Sequence, residues 1–168
     1  MHSRNFIKYI WFSLPLLFII FVVGPRYTNA VTDSLRIPED FSLQMKRMVG
    51  SWVFSGNEGD RKFTGHESIR IINNGSALLQ EGYFDLGGGE KQHYVILSGW
   101  DAEKKALVVN GFTSDGYAFN GQWKSVSGSS FVGTANGRPA KFTAGKEAMR
   151  YEEDGGKWVS SFERSDEK

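Results

Sequence analysis

Turn signals recur along most of this chain, and the segments between them are short and rich in strand-forming residues. Beyond Trp52, uninterrupted stretches rarely exceed about a dozen residues. Consecutive hairpins without a long crossover favour an up-and-down barrel, because closure pairs every strand edge. The sequence therefore predicts an all-β fold, a single antiparallel barrel of about 8–10 strands. The strand candidates are Trp52–Gly56, Phe63–Ile72, Ala77–Leu86, Gln92–Trp100, Ala106–Thr113, Tyr117–Lys124, Phe131–Ala135, Lys141–Tyr151 and Lys157–Arg164.

One short helix is predicted before the strands, between Pro38 and Gly50. Pro38 suits a first helical turn, and Gly50 is placed to end the helix. Apolar residues recur at helical spacing and form one face, which we expect to pack across one end of the barrel as a plug. These residues are Phe41, Met45, Met48 and Val49.

The first thirty residues have the pattern of a secretory signal peptide: a basic start, an apolar run and a small-residue exit. The apolar run, residues 10–23, is shorter than the roughly 20 residues of a membrane-spanning helix, and Pro15 interrupts it. We predict cleavage after Ala30, which leaves residues 31–168 as one secreted or periplasmic barrel domain. The alternative is an uncleaved membrane anchor with the domain outside the cytoplasm.

Composition narrows the classes of partner. Removal of Arg4, Lys8 and Arg26 with the signal peptide leaves 17 basic residues against 19 acidic ones, a net charge of −2. This balance argues against nucleic acid and against an anionic membrane surface, so any membrane contact is expected only through an uncleaved N-terminal segment. The chain has no cysteine, which excludes disulfides, thiolate catalysis and cysteine-based metal sites. The oligomeric state is left open.

The Asn74-Gly75 turn allows the first hairpin to be registered. A two-residue type I′ loop there places Ile72 opposite Ala77. One face of the hairpin is then apolar and is predicted to point inward, while the other is polar and points outward. The inward residues are Phe63, Ile69, Ile71, Leu78, Phe84 and Leu86, and the outward ones Thr64, His66, Ser68, Arg70, Glu81, Tyr83 and Asp85.

A second hairpin is registered in the same way from Asp115-Gly116. A two-residue loop there predicts an inward set of Val108, Phe112, Tyr117, Phe119 and Trp123, and an outward set of Thr113, Asn120, Gln122 and Lys124. In the strand from Gln92 to Trp100, loops of odd length on both sides would point Tyr94, Ile96 and Trp100 inward and His93 outward, and loops of even length would reverse this.

Gly50-Ser51-Trp52 after a short helix, followed by a strand meander that ends at Arg164, resembles the lipocalin/calycin superfamily. More narrowly, the pattern is similar to bacterial secreted lipocalin-like proteins of unknown function. The resemblance covers nearly all of residues 41–165 and implies an eight- to ten-stranded barrel that binds small apolar molecules. The T-D-Y-type triplet and the disulfide of extracellular lipocalins are absent. These two absences argue against the classical transport role more than against the fold.

Trp52 and Arg164 are expected to serve barrel closure. The first and last strands of a closed antiparallel barrel are neighbours, so the start of one meets the end of the other. Arg164 should therefore stack on the indole of Trp52 and hydrogen-bond carbonyl groups of the plug. This role is structural, and no residue set in the sequence forms a catalytic signature.

Three polar residues are candidates for ligand binding because the two registers place them on the inward, apolar face: Glu67, Gln80 and Asn110. An inward carboxylate is costly unless it is hydrogen-bonded, paired or neutral. Glu67 is therefore either a polar anchor for a ligand or a solvated residue near an open rim. Aromatic candidates for the same interior are Tyr94, Trp100, Tyr117, Phe119 and Trp123.

No cofactor or metal is assigned from the sequence. The carboxylates lack the spacing of a metal loop, and His66 and His93 do not fall on the last strands, where a haem-binding histidine of this superfamily would be expected. Three functions remain open: an exported binding protein for a small, largely apolar ligand, an isomerase- or cyclase-type enzyme on a lipid-like substrate with Glu67 as acid or base, and a packed structural barrel of the cell envelope. An interior cavity of a few hundred cubic ångströms would favour the first two.

Overall fold

The computed structural model describes residues 37–127 and 129–165. Within these residues the chain forms one α-helix, α1 (Glu39–Met48), two 3₁₀ turns (Asn73–Gly75 and Asp154–Gly156) and ten strands that close into an antiparallel barrel in sequence order, with β1 paired to β10. The all-β prediction of a closed barrel preceded by one short helix is confirmed. The strands are β1 (Gly50–Glu58), β2 (Arg61–Ile72), β3 (Ala77–Asp85), β4 (Lys91–Asp101), β5 (Ala106–Thr113), β6 (Ala118–Ser127), β7 (Ser130–Ala135), β8 (Arg138–Ala144), β9 (Ala148–Glu153) and β10 (Trp158–Arg164).

The predicted signal peptide lies outside the described residues. Among the residues that are described, no helix is both long and apolar enough to cross a membrane.

The predicted strand Lys141–Tyr151 is wrong, because it contains a hairpin. The chain turns between β8 and β9, where the Gly145 N–H donates to the Ala148 carbonyl at 2.8 Å. The two residues inside this turn, Lys146 and Glu147, do not have positive φ. The turn therefore needs neither glycine nor asparagine at its centre, so the sequence carries no turn dipeptide there.

The first hairpin has the predicted register, with Ile72 opposite Ala77. Asn74 and Gly75 have φ values of 53° and 92°, the positive values that a type I′ turn requires at both central positions. Phe63, Ile69 and Leu78 are accordingly buried, and Arg70 and Glu81 form an exposed ion pair.

The second hairpin differs from its predicted register by one residue. Gly116 has positive φ but Asp115 does not, so a type I′ turn is not formed. The Thr113 N–H donates to the Tyr117 carbonyl across a three-residue loop, and Phe112 pairs with Ala118. Because the loop has an odd number of residues, the inward and outward faces of β5 are exchanged relative to the prediction, and Phe112 is 60% exposed. The next strand, β6, keeps its predicted orientation. The predicted inward positions of Val108, Phe112 and Asn110 are therefore wrong.

Helix α1 plugs one end of the barrel, as predicted. Phe41, Met45 and Met48 belong to a buried cluster whose other members come from strands around the barrel, among them Ile69 of β2 and Phe131 of β7. This cluster forms the floor. The loops β2–β3, β4–β5, β6–β7 and β8–β9 lie at the floor end because the strands alternate in direction, and the other loops surround the opposite end, the mouth.

The Trp52–Arg164 contact secures the floor. The two residues pair across β1 and β10, and the guanidinium carbon lies 4.3 Å from the indole centroid. Arg164 also donates to the carbonyls of Arg47 and Val49 at 3.1 and 2.9 Å, while Trp52 Nε1 donates to the Met48 carbonyl at 2.8 Å. The predicted stacking and hydrogen bonding are present, and they tie the end of α1 to both closing strands.

Gly50 has a different role from the predicted helix stop. The helix ends at Met48, with Val49 already extended, and Gly50 begins β1. A Cβ atom at Gly50 would collide with the Arg164 guanidinium, and its φ is 140°. The glycine of the Gly50-Ser51-Trp52 motif therefore leaves the space that the closing arginine occupies.

Candidate functional site

The barrel is hollow, with a cavity of about 570 Å³. Met48 lies at its floor, and Glu58, Asp115 and Arg138 lie at its mouth. This volume lies within the roughly 300–1,000 Å³ of small-molecule sites. Most of the wall is apolar, and aromatic side chains are the commonest lining residues. The interior is therefore suited to a compact apolar molecule that enters from the mouth.

Ring packing against inward glycines helps to keep the interior open. A Cβ atom added to Gly82 would lie 2.8 Å from Cζ of Tyr94, and one added to Gly111 would collide with the Phe119 ring. These rings therefore cover the backbone of a neighbouring strand, in the arrangement known from aromatic rescue of strand glycines. The aromatic side chains line the barrel without filling its centre.

Glu67 is buried on the inner wall, 3% exposed, in the middle of β2. The Tyr94 hydroxyl donates to its Oε2 at 2.7 Å. Burial raises the pKa of Glu67 to about 7, while hydrogen bonds from Tyr94 and Gln80 act in the opposite direction. The interpretation of Glu67 as a solvated rim residue is therefore wrong, and its inward position, derived from the Asn74-Gly75 turn, is confirmed.

Tyr94 reaches Glu67 across β3, because Gly82 lies between them in the strand pairing. Burial, together with the neighbouring Glu67 carboxyl group, raises the pKa of Tyr94. The phenol consequently stays protonated and remains a hydrogen-bond donor at any physiological pH. It holds the carboxyl group of Glu67 in one place on the wall.

Of the seven other residues predicted to bind a ligand in the interior, five lie on the cavity wall and two do not. Trp100 packs on Phe41 of the helix, with ring centroids 4.8 Å apart, so it contributes to the floor and not to the cavity lining. Asn110 is exposed on the outer wall, opposite Asn120, because β5 is turned over. It is therefore removed from the candidate site. The residues on the wall are Gln80, Tyr94, Tyr117, Phe119 and Trp123.

Several lining residues escape prediction from the sequence. Thr113 is predicted to point outward, yet it lines the cavity because the three-residue loop of the second hairpin reverses the two faces of β5. Ser98 and Ser160 are buried in the wall, where Ser160 Oγ accepts from Trp158 Nε1 at 3.0 Å. The φ of Asp115, which is not positive, distinguishes the two loop lengths, but a backbone angle cannot be read from a dipeptide that suits both.

The mouth carries a second polar cluster. Arg138 Nη1 lies 3.1 Å from Glu153 Oε1, and the Tyr151 hydroxyl donates to Glu153 Oε2 at 2.5 Å. Burial and the contact with Glu153 raise the pKa of Tyr151. Asp115, which is exposed, accepts a short hydrogen bond from Thr113, and this bond lowers its pKa. Asp115 is therefore ionised at neutral pH, and Glu153 forms an ion pair with Arg138.

The two histidines among the described residues lie on the outer wall. His66 stacks on Tyr83 with centroids 6.2 Å apart, on the outer wall as predicted, and His93, whose orientation the sequence left open, is exposed on the other side of Tyr83. Within residues 37–127 and 129–165, no group of three or more His, Cys, Asp or Glu side chains could hold a metal ion.

The fold and the site define a hollow, ten-stranded antiparallel barrel that a helix closes at one end and that carries a buried carboxyl group on its inner wall. No protein-family model and no curated protein matches the sequence. Similar solved structures include a de novo designed fluorescence-activating β-barrel, with 14% identity, 72% of this chain and 96% of that chain covered, and a TM-score of 0.44. Another is a redesigned β-barrel, mFAP0, bound to DFHBI, with 12% identity, 70% of this chain and 99% of that chain covered, and a TM-score of 0.44.

Proposed function

We propose that this protein is an exported, lipocalin-like binding protein that holds a small, largely apolar molecule inside the barrel. The cavity of about 570 Å³ carries the proposal. A barrel of this size can be filled completely by its own side chains, and a packed core would have left no such space. The cavity therefore supports a binding role over that of a packed structural barrel.

The polarity of the interior supports the same function. Ligand sites are mostly apolar with a few convergent polar groups that fix orientation. Here the apolar wall surrounds Glu67, Tyr94 and Gln80, which meet at one point. An apolar ligand would gain burial against the rings, and its polar group would be oriented by these three side chains.

Export is the second part of the proposal, and it rests on the sequence of residues 1–30. The Trp52–Arg164 closure supports the lipocalin-like classification, because the residues that carried the resemblance make the contact expected of them. The absence of cysteine means that the barrel relies on burial, hydrogen bonding and this closure for its stability.

Binding can be tested with a neutral fluorescent probe such as Nile red and two adjacent substitutions. Ile96 lines the cavity, whereas Leu97, 49% exposed, points away from it. Ile96→Trp should fill the cavity and weaken saturable one-to-one binding by about tenfold or more, whereas Leu97→Trp should leave it unchanged. Thermal melting would verify that both variants are folded. Equal binding by both variants would place the probe on the outer surface and contradict the proposal.

A second function is favoured by the burial of Glu67 on the cavity wall, which raises its pKa to about 7. A carboxyl group with such a pKa can act as a general acid or base at neutral pH, as an isomerase or cyclase would require. Molecules that copurify with the protein can be extracted and compared by chromatography and mass spectrometry before and after incubation. Conversion that Glu67→Gln abolishes without loss of binding would establish an enzyme. Unchanged molecules would leave binding as the function.

A further inference from the structure

Charge on the cavity wall is predominantly negative. The charged lining residues are Glu58, Glu67, Asp115, Arg138 and Glu153. Arg138, the basic member of this set, forms an ion pair with Glu153. An anionic ligand would therefore meet carboxylates without a free cation to balance it.

Glu67 differs from the other carboxyl groups of the wall. Glu58 and Asp115 are exposed at the mouth, where water screens them, and Glu153 is paired. Glu67 is buried, and among the described residues no Lys, Arg or His forms a salt bridge with it. Its hydrogen-bond partners are Tyr94 and Gln80. An ionised carboxylate can accept about four hydrogen bonds, so it retains capacity for a donor supplied by a ligand.

We propose that the ligand carries a protonated amine or amidine on a compact apolar body, and that this cation binds Glu67 near the base of the cavity. The inference rests on the proposed binding function and specifies the chemistry of the ligand. A cation at this point supplies the positive partner that the protein itself does not place beside Glu67. Removing either member of such a buried pair is costly, which gives the pair its selectivity.

The aromatic wall suits a cationic ligand as well as an apolar one. Phe84 lies 6.0 Å from Tyr94 and 6.4 Å from Trp158, centroid to centroid, so the rings continue from the Glu67 partner toward the mouth. Ring faces attract cations electrostatically, and this attraction grows where water is excluded. The same rings bury the apolar body of the ligand.

Binding of a cation should be linked to a proton. The groups that face Glu67 from the neighbouring strands are Tyr94 of β4, which stays protonated, and Gln80 of β3, which does not titrate. Trp52 is its register partner on β1. Only Glu67 in this set changes charge near neutral pH. A cation selects its ionised form, so binding below pH 7 must displace a proton from the carboxyl group.

The test compares three probes with the same ring system: 2-(naphthalen-2-yl)ethylamine, 2-(naphthalen-2-yl)ethanol and 2-naphthylacetate. Their affinities would be measured by calorimetry at about pH 6 and about pH 8, on either side of the pKa of Glu67. We expect the amine to bind at least about tenfold more tightly than the alcohol or the acid at the higher pH. Amine binding should strengthen by about tenfold between the two pH values as Glu67 ionises, because the amine itself stays protonated throughout.

Glu67→Gln should remove both the preference for the amine and its pH dependence. Glu81→Gln is the matched control, because Glu81 lies on β3 with an exposed ion pair to Arg70 on the outer wall, and it should change neither. Tyr94→Phe should raise the pKa of Glu67, because the carboxylate loses a hydrogen-bond donor, and should therefore move the pH dependence of amine binding to higher pH. If the alcohol or the acid binds as tightly as the amine, or if Glu67→Gln keeps the preference, the inference is wrong while the binding function stands. If none of the probes binds the unmodified protein, the proposed function itself fails.

Discussion

Replacement of Glu67 by glutamine should make the protein more stable above neutral pH. Burial raises the pKa of this carboxyl group from 4.5, the value for the unfolded chain, to about 7 in the folded protein. Because the folded pKa is the higher one, the folded state binds more protons than the unfolded state between these pH values. The free energy of unfolding therefore falls as pH rises through this interval.

The size of the effect follows from the two pKa values. Each pKa unit corresponds to about 1.4 kcal/mol, so full ionisation of Glu67 costs the folded state about 3 kcal/mol. Below pH 4.5 the group is protonated in both states and no cost exists. Above pH 7 the whole cost is present. Glutamine has nearly the same shape and carries no charge, so the variant lacks this cost at every pH.

Urea denaturation followed by tryptophan fluorescence would measure the difference between parent and variant from about pH 4.5 to about pH 9. We expect the difference in unfolding free energy to change by about 3 kcal/mol across this range, in favour of Glu67→Gln at high pH. Glu81→Gln should give a difference that does not depend on pH in this range, since Glu81 is exposed. A pH-independent difference for Glu67→Gln, or a variant that is less stable than the parent at the highest pH, would refute the burial argument.

Three further predictions concern the floor, the second hairpin and export. Trp52→Ala should cost about 3–5 kcal/mol, and a double-mutant cycle with Arg164→Ala should show coupling of about 0.5 kcal/mol or more; additive losses would mean that the stacking contributes nothing. Phe112→Ala should change the unfolding free energy by about 0.5 kcal/mol or less, whereas Val109→Ala, at a buried position, should cost about 1–2 kcal/mol; the reverse order would support a two-residue loop. N-terminal sequencing of exported protein should begin at Val31, and an intact Met1 in the membrane fraction would establish an anchor.

The strand order and the first hairpin could be predicted from the sequence because local chemistry decides them. Asn74 and Gly75 both tolerate positive φ, so the loop length, the register and the inward position of Glu67 follow together. Asp115-Gly116 suits two loop lengths, and β5 is apolar on both faces, with Leu107, Val108 and Phe112 in one short strand. The hydrophobic pattern therefore could not decide which face of β5 points inward, and the predicted position of Asn110 is wrong for that reason.

The cavity could not be predicted because it depends on contacts between strands. The sequence shows many aromatic residues, but whether they fill a barrel depends on where each ring lies. Phe119 folds over Gly111 of the adjacent strand, and Tyr94 folds over Gly82. These contacts join residues 8 and 12 positions apart along the chain, by their numbers. They require the register of two strands, which no single segment encodes.

The free-energy cost of burying Glu67 is not offset by a role in the closure or the floor of the described part of the barrel. Closure depends on Trp52 and Arg164, and the floor is held by apolar packing, so neither needs a carboxyl group in the middle of β2. Tyr94 and Gln80 offset only part of the burial penalty, since the pKa of Glu67 remains near 7. A ligand cation would remove the remaining penalty by supplying the missing charge, and the energy regained would add to its affinity. The same group that weakens the empty barrel at neutral pH would therefore strengthen the occupied one, so that ligand binding and the stability gained from it should rise together above pH 7.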